Sequence, residues 1–223
     1  MMTIRALVAA AFVLASARGA HAQLWSNPYN GTVWNNPTSS LISTMITNNG
    51  YEQALKSSFA NQGQGQGAAA PQHEAIAKTD FQPAKQRLIV EPMIDAMVSK
   101  PELAKQLVAG VGQVFDVIEK GMRKNNVATG MAFMLAMAVQ IDKGVSLNGQ
   151  QMQNLAVGLN DYLARTPAFV KAGASDRQKM YEMFITMGAL MGLLAEAGKT
   201  DPASLTAAKA LSKQALTMVP ASK

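Results

Sequence analysis

A chain of 223 residues, 48% hydrophobic and 15% charged, suits one ordinary domain and is too apolar to stay unfolded throughout. Its formal charge is +6; without Arg5 and Arg18 of a leader segment, 18 basic residues face 14 acidic ones for a net +4, with no dense Lys/Arg run to suggest a nucleic-acid partner. The absence of cysteine excludes a disulfide framework, a Cys–His nucleophilic pair and a lipoprotein anchor.

The first 22 residues read as an export signal. One positive charge lies within Met1–Arg5, Ala6–Ala17 is an apolar run of 12 residues, and Ala20-His21-Ala22 fits the small-x-small cleavage rule. Cleavage between Ala22 and Gln23 would send the chain to the periplasm or the extracellular space, with no spanning segment left behind. Residues 23–79 then form an arm. Pro28, Pro37 and Asn30-Gly31 break any regular helix around Trp25, Tyr29 and Trp34, and the two tryptophans are the expected contact points for a protein partner. Short helices are expected between Ser39 and Phe59. Gly63–Gly67 belongs to a Gln/Gly linker, not to a nucleotide-binding loop, and the linker continues to Lys78.

From residue 80 to about 220 the pattern is helical. Arg87–Val98 carries Leu88, Ile89, Met93, Ile94, Met97 and Val98, with Pro92 as start or kink. Ser99–Glu102 has the spacing of a capping box. Leu103, Leu107, Val111, Val114, Phe115, Ile118 and Met122 then make a stripe at steps of three and four. Asn125 or Asn126 caps the next segment, in which only Thr129, Gly130 and Gln140 interrupt the apolar residues from Val127 to Ile141. A helix apolar on all sides is a membrane span or the rod of a bundle. This one would reach roughly 22 Å against a hydrocarbon layer of roughly 30 Å, so a buried rod is expected.

A helix over Gly149–Arg165 turns Met152, Leu155, Ala156, Leu159, Tyr162 and Leu163 inward, and Thr166-Pro167 opens a turn in which Phe169 and Val170 pack. Ser175–Gln178 has capping-box spacing before a long helix to Gly198, whose apolar run Met183–Ala195 is short for a span. Asp201-Pro202 caps a last helix to about Met218. No period-two pattern competes. The expected fold is all-α, five or six helices in an irregular bundle around the central rod, with Ala132/Ala136 and Gly188/Gly192 letting two helices approach closely.

Catalytic material is thin. After cleavage His73 is the one histidine, so a Ser–His–Asp triad or a His-based zinc site has little to draw on. Glu91/Asp95 and Asp116/Glu119 read as solvated helix faces, and a carboxylate–Tyr site would have to combine Asp161, Tyr162, Tyr181 and Glu182. Methionine is the conspicuous excess: Met131, Met134 and Met137 on one helix, Met180, Met183, Met187 and Met191 on another. Core packing is the expected role of these residues; thioethers also select Cu(I), for which Met131, Met134, Met137, Met183 and Met187 are the candidate ligands, and an apolar-ligand cavity lined by Met is the remaining alternative.

TDFQPAKQRL (Thr79–Leu88), NNVATGMAFMLAMAV (Asn125–Val139) and LNDYLARTPAFVKAGASDRQKMYEMFITMGALM (Leu159–Met191), behind an exported N-terminus and spacer, carry a resemblance. Together they resemble a family of uncharacterised exported bacterial proteins known only as a domain of unknown function. It rests on helix order and on the run Pro167, Phe169, Ser175, Asp176, Lys179, Tyr181, Glu182. The resemblance implies an all-α exported domain and supplies no catalytic residue. Residues and resemblance together point to a non-enzymatic helical domain working through protein contact, without cofactor; the alternative is an apolar-ligand or Cu(I)-binding module.

Overall fold

The computed structural model describes residues 73–217. The leader with Ala22 and Gln23, Trp25 and Trp34, the short arm helices, Gly63–Gly67 and Met218 fall outside this range.

Among the described residues, seven α-helices follow a 3-10 turn at Ile76–Thr79: α1 Val90–Met97, α2 Pro101–Gly121, α3 Val127–Lys143, α4 Gly149–Arg165, α5 Pro167–Val170, α6 Ala174–Ala197 and α7 Pro202–Thr217. Among the described residues there is no strand, only an isolated antiparallel bridge between Asp80 and Asn126. α3 is the expected rod. Every residue from Val127 to Val139 is buried, Asn126 caps its start through a bond from the Thr129 N–H, and Gly144 ends it in the left-handed conformation (φ 70°) that glycine adopts without strain.

The rod is not alone. α6 is buried continuously from Met180 to Met191 and pairs with α3 along its length, so the bundle has a two-helix spine. α4 covers α3, α7 packs against both spine helices, α2 lies on α6, and α1 packs chiefly against α2. Small residues permit the spine to close. A Cβ added at Gly188 would sit 2.6 Å from Phe133 Cε1 and 3.3 Å from Met134 Cα, and one at Gly130 would sit 3.2 Å from the Tyr181 carbonyl oxygen. α6 as a whole has the length and hydropathy to cross a membrane, more than its apolar run suggested, yet 67% of the relevant window is buried in the bundle.

Several local expectations are corrected. The capping boxes at Ser99–Glu102 and Ser175–Gln178 do not form: the N-caps are Lys100 and Gly173, neither with a side-chain bond, and Pro101 sits at the first position. The capping box that does form joins Asn148 and Gln151 at the start of α4. α1 begins at Val90, so Pro92 lies in its first turn, where no intrahelical N–H is lost. Phe169 is fully buried, whereas Val170 is 55% exposed. Residues 73–79, expected to be linker, are docked on the bundle, and Thr79 is fully buried.

Candidate functional site

Residues 73–89, the 3-10 turn and the irregular chain around it, form a strap across α3, α4 and α6, held chiefly through its backbone. Asn160, on the buried stripe of α4, donates from Nδ2 to the carbonyls of Glu74 (3.0 Å) and Ala75 (3.3 Å). Its Oδ1 accepts from the Thr79 hydroxyl at 2.9 Å, which in turn accepts from Asn126 Nδ2 at 2.8 Å. Asn160, Thr79 and Asn126 are fully buried, so this relay satisfies groups that would otherwise be costly to desolvate. Arg177 donates to the carbonyls of Lys78, Asp80, Phe169 and Ala172 and stacks on the Phe169 ring, tying the strap to the α5 corner.

The outer end carries the histidine. His73 Nδ1 meets Asp161 Oδ2 at 2.6 Å, and the Glu74 N–H donates to Asp161 Oδ1 at 2.7 Å. Midway, Arg123 clasps Asp80 with two bonds. Partial burial pushes the Asp80 carboxyl up, but bonds from Arg123 and Asn126 outweigh it and hold the group below its ordinary range.

At the inner end Gln178 and Glu182, one turn apart on α6, take over. Gln178 Oε1 accepts from the Ala84 N–H at 2.6 Å, and its Nε2 donates to the Gln86 carbonyl and to Glu182 Oε1. Glu182 Oε2 accepts from the N–H groups of Leu88 (2.7 Å) and Ile89 (2.9 Å), just ahead of α1. Between this end of the strap, α2 and α6 lies a cleft of about 340 Å³. Tyr181 forms its wall, its ring centroid 5.3 Å from Phe81 and 5.9 Å from Phe115. Burial pushes the Tyr181 hydroxyl well above its ordinary range, helped by the negative Glu119, to which it donates at 3.4 Å. Arg87 lies over the Phe115 ring, 3.5 Å from its centroid, and bonds Glu119 at 3.2 Å. Lys85 and Lys124 also line the cleft.

The structure gives the residues of a carboxylate–Tyr site different partners. Asp161 and Tyr162 belong to α4 at the strap's outer end, while Tyr181 and Glu182 belong to the cleft. Glu91, Asp95 and Asp116 are exposed; Glu119 is drawn into the cleft. Met131, Met134, Met137, Met183 and Met187 are each 7% exposed or less and lie in the main hydrophobic cluster. No group of three or more His, Asp or Glu with metal-binding geometry occurs among the described residues. The structural roles of Asn160, Arg177 and Gln178 are absent from the sequence reading. An asparagine beside Leu159 and Leu163 on a buried stripe is a readable signal; the others depend on where the strap runs.

These features define an all-α bundle with a paired-helix spine, clasped by a strap that also frames a polar cleft. The chain belongs to the family of unknown function DUF6683, whose profile matches residues 2–219 and so takes in the segment ahead of the bundle as well. No curated protein and no solved structure matches it significantly.

Proposed function

We propose that this is an exported, non-enzymatic protein-contact module in which the bundle is the anchor and the segment ahead of His73 is the contact arm. Trp25 and Trp34 are the contact residues, with neither nucleic acid nor a membrane span involved. The observation that supports this reading is the clasp. Asn126, Asn160, Arg177, Gln178 and Glu182 spend most of their polar atoms on residues 73–89, chiefly on the main chain and otherwise on the Thr79 and Asp80 side chains. Side chains committed in that way are poorly placed to move protons for a substrate. They do fix the point beside Asp161 at which the preceding chain joins the bundle. Burial of the five methionines within the hydrophobic cluster favours packing as their role.

The test is native mass spectrometry on protein from the exported fraction, with and without chemical crosslinking. The expected species starts at Gln23, carries neither copper nor a neutral apolar molecule, and crosslinks to a protein partner. Trp25→Ala with Trp34→Ala should abolish the crosslink while leaving the melting temperature unchanged. A retained leader would sink export; a copper or apolar-molecule increment would replace this reading with the Met-lined binding module.

A further inference from the structure

The charges around the cleft do not balance. Of its two acids, Glu182 has both oxygens occupied by strap N–H groups and Gln178, and Glu119 is taken up by Arg87 and Tyr181. Lys85 and Lys124 are exposed, line the same space and have no acidic partner among the described residues. The cleft therefore offers two unspent ammonium groups. It also offers apolar surface, because half-buried Phe81 and exposed Pro83 contribute to its lining, with the buried Tyr181 ring packed behind Phe81. At about 340 Å³ it lies at the small end of ligand sites, which run from roughly 300 to 1,000 Å³.

We propose that this cleft binds a small organic carboxylate with an apolar body, the carboxylate met by Lys85 and Lys124 and the body laid against Phe81 and Pro83. A monoanion fits better than a phosphate. The guanidinium fork of Arg87, the usual bidentate partner of a phosphate, is already engaged by Glu119 and Phe115, and a dianion would feel Glu119 more strongly. The Tyr181 hydroxyl keeps its proton throughout the neutral range and adds no negative charge to oppose an anion. This site is separate from the methionine-lined core and independent of the protein contact proposed above.

The experiment is an amide-detected NMR titration of the chain Gln23–Lys223 with benzoate, using benzyl alcohol and inorganic phosphate as controls. Benzoate should shift the signals of Phe81, Lys85, Arg87 and Lys124 saturably, with a Kd of roughly millimolar order. The neutral alcohol and bare phosphate should bind far more weakly. Lys85→Glu with Lys124→Glu should weaken benzoate about tenfold or more, and Lys85→Arg with Lys124→Arg should retain it. Both positions are exposed, so the variants should fold, which the unchanged remainder of the spectrum verifies. Shifts that are absent, scattered over the surface, or equal in the charge-reversed variant would overturn the proposal. Equal binding of phosphate and benzoate would also overturn it.

Discussion

Asn126 does two things with one side chain. Its Oδ1 caps α3, and its Nδ2 is shared among the Ile76 carbonyl, the Thr79 hydroxyl and Asp80 Oδ1. Aspartate is as good an N-cap as asparagine, so on capping grounds Asn126→Asp is neutral. It nevertheless removes the donor and sets a second carboxyl group against Asp80 in a fully buried place. We expect a loss of about 2–3 kcal/mol in urea unfolding at neutral pH. The deficit should narrow on acidification. The lowered Asp80 gives the wild type stability that is present above the ordinary carboxylate range and lost as pH falls through its own depressed one, while protonating either carboxyl relieves the variant. A variant as stable as wild type at neutral pH would mean that the cap is all Asn126 provides.

Among the helices, the same substitution should have opposite signs in two places. Gly112 lies within α2 and a Cβ there would meet nothing within 4 Å, so Gly112→Ala should stabilise by about 0.5–1 kcal/mol through helix propensity. Gly188→Ala enjoys that gain but drives a methyl to 2.6 Å from the buried Phe133 ring, across the α3–α6 contact. Overpacking of this kind costs about 1–3 kcal/mol, so the net change should be destabilising. Thermal or urea unfolding of the pair checks it; two changes of the same sign would contradict the close approach of the spine helices. Competition for one side chain also explains the failed capping box ahead of α6. Ser175–Gln178 has the right spacing, but Gln178 finds a backbone N–H at Ala84, a Gln86 carbonyl and Glu182, all distant in sequence except the last. Three specific bonds outweigh one local cap.

For the whole molecule, residues 73–78 are part of what the bundle needs to satisfy its buried polar groups. A chain beginning at His73 keeps every bond described above. One beginning at Thr79 loses the Glu74, Ala75 and Ile76 carbonyls that Asn160 and Asn126 use, and the Lys78 carbonyl that Arg177 uses. Each buried polar group left unpaired costs about 1–3 kcal/mol, against total stabilities of about 5–15 kcal/mol. The shorter chain should therefore melt several degrees lower, or lose a cooperative transition, while the longer one melts as the full protein does. Identical melting of the two would show that residues 73–78 only rest on the surface.

The sequence by itself determined the helices and the rod. Apolar residues at helical spacing, and a segment apolar on every face, leave one physical solution, so α3, the Gly149–Arg165 helix and the burial of Leu155, Leu159 and Leu163 were all legible. Only the tertiary structure decided what the polar residues do. Thr79–Gln86 has no periodicity to read, the helical pattern from Arg87 takes hold only at Val90, and the order of this stretch comes from Asn126, Asn160, Arg177, Gln178 and Glu182, which stand some 40 to 100 positions further along the chain. Hydrophobic burial leaves a periodic trace in sequence because it acts along an element, whereas a hydrogen bond between distant segments leaves none. The cleft, with Lys85 on the strap and Lys124 before α3, exists only because those distant bonds are made.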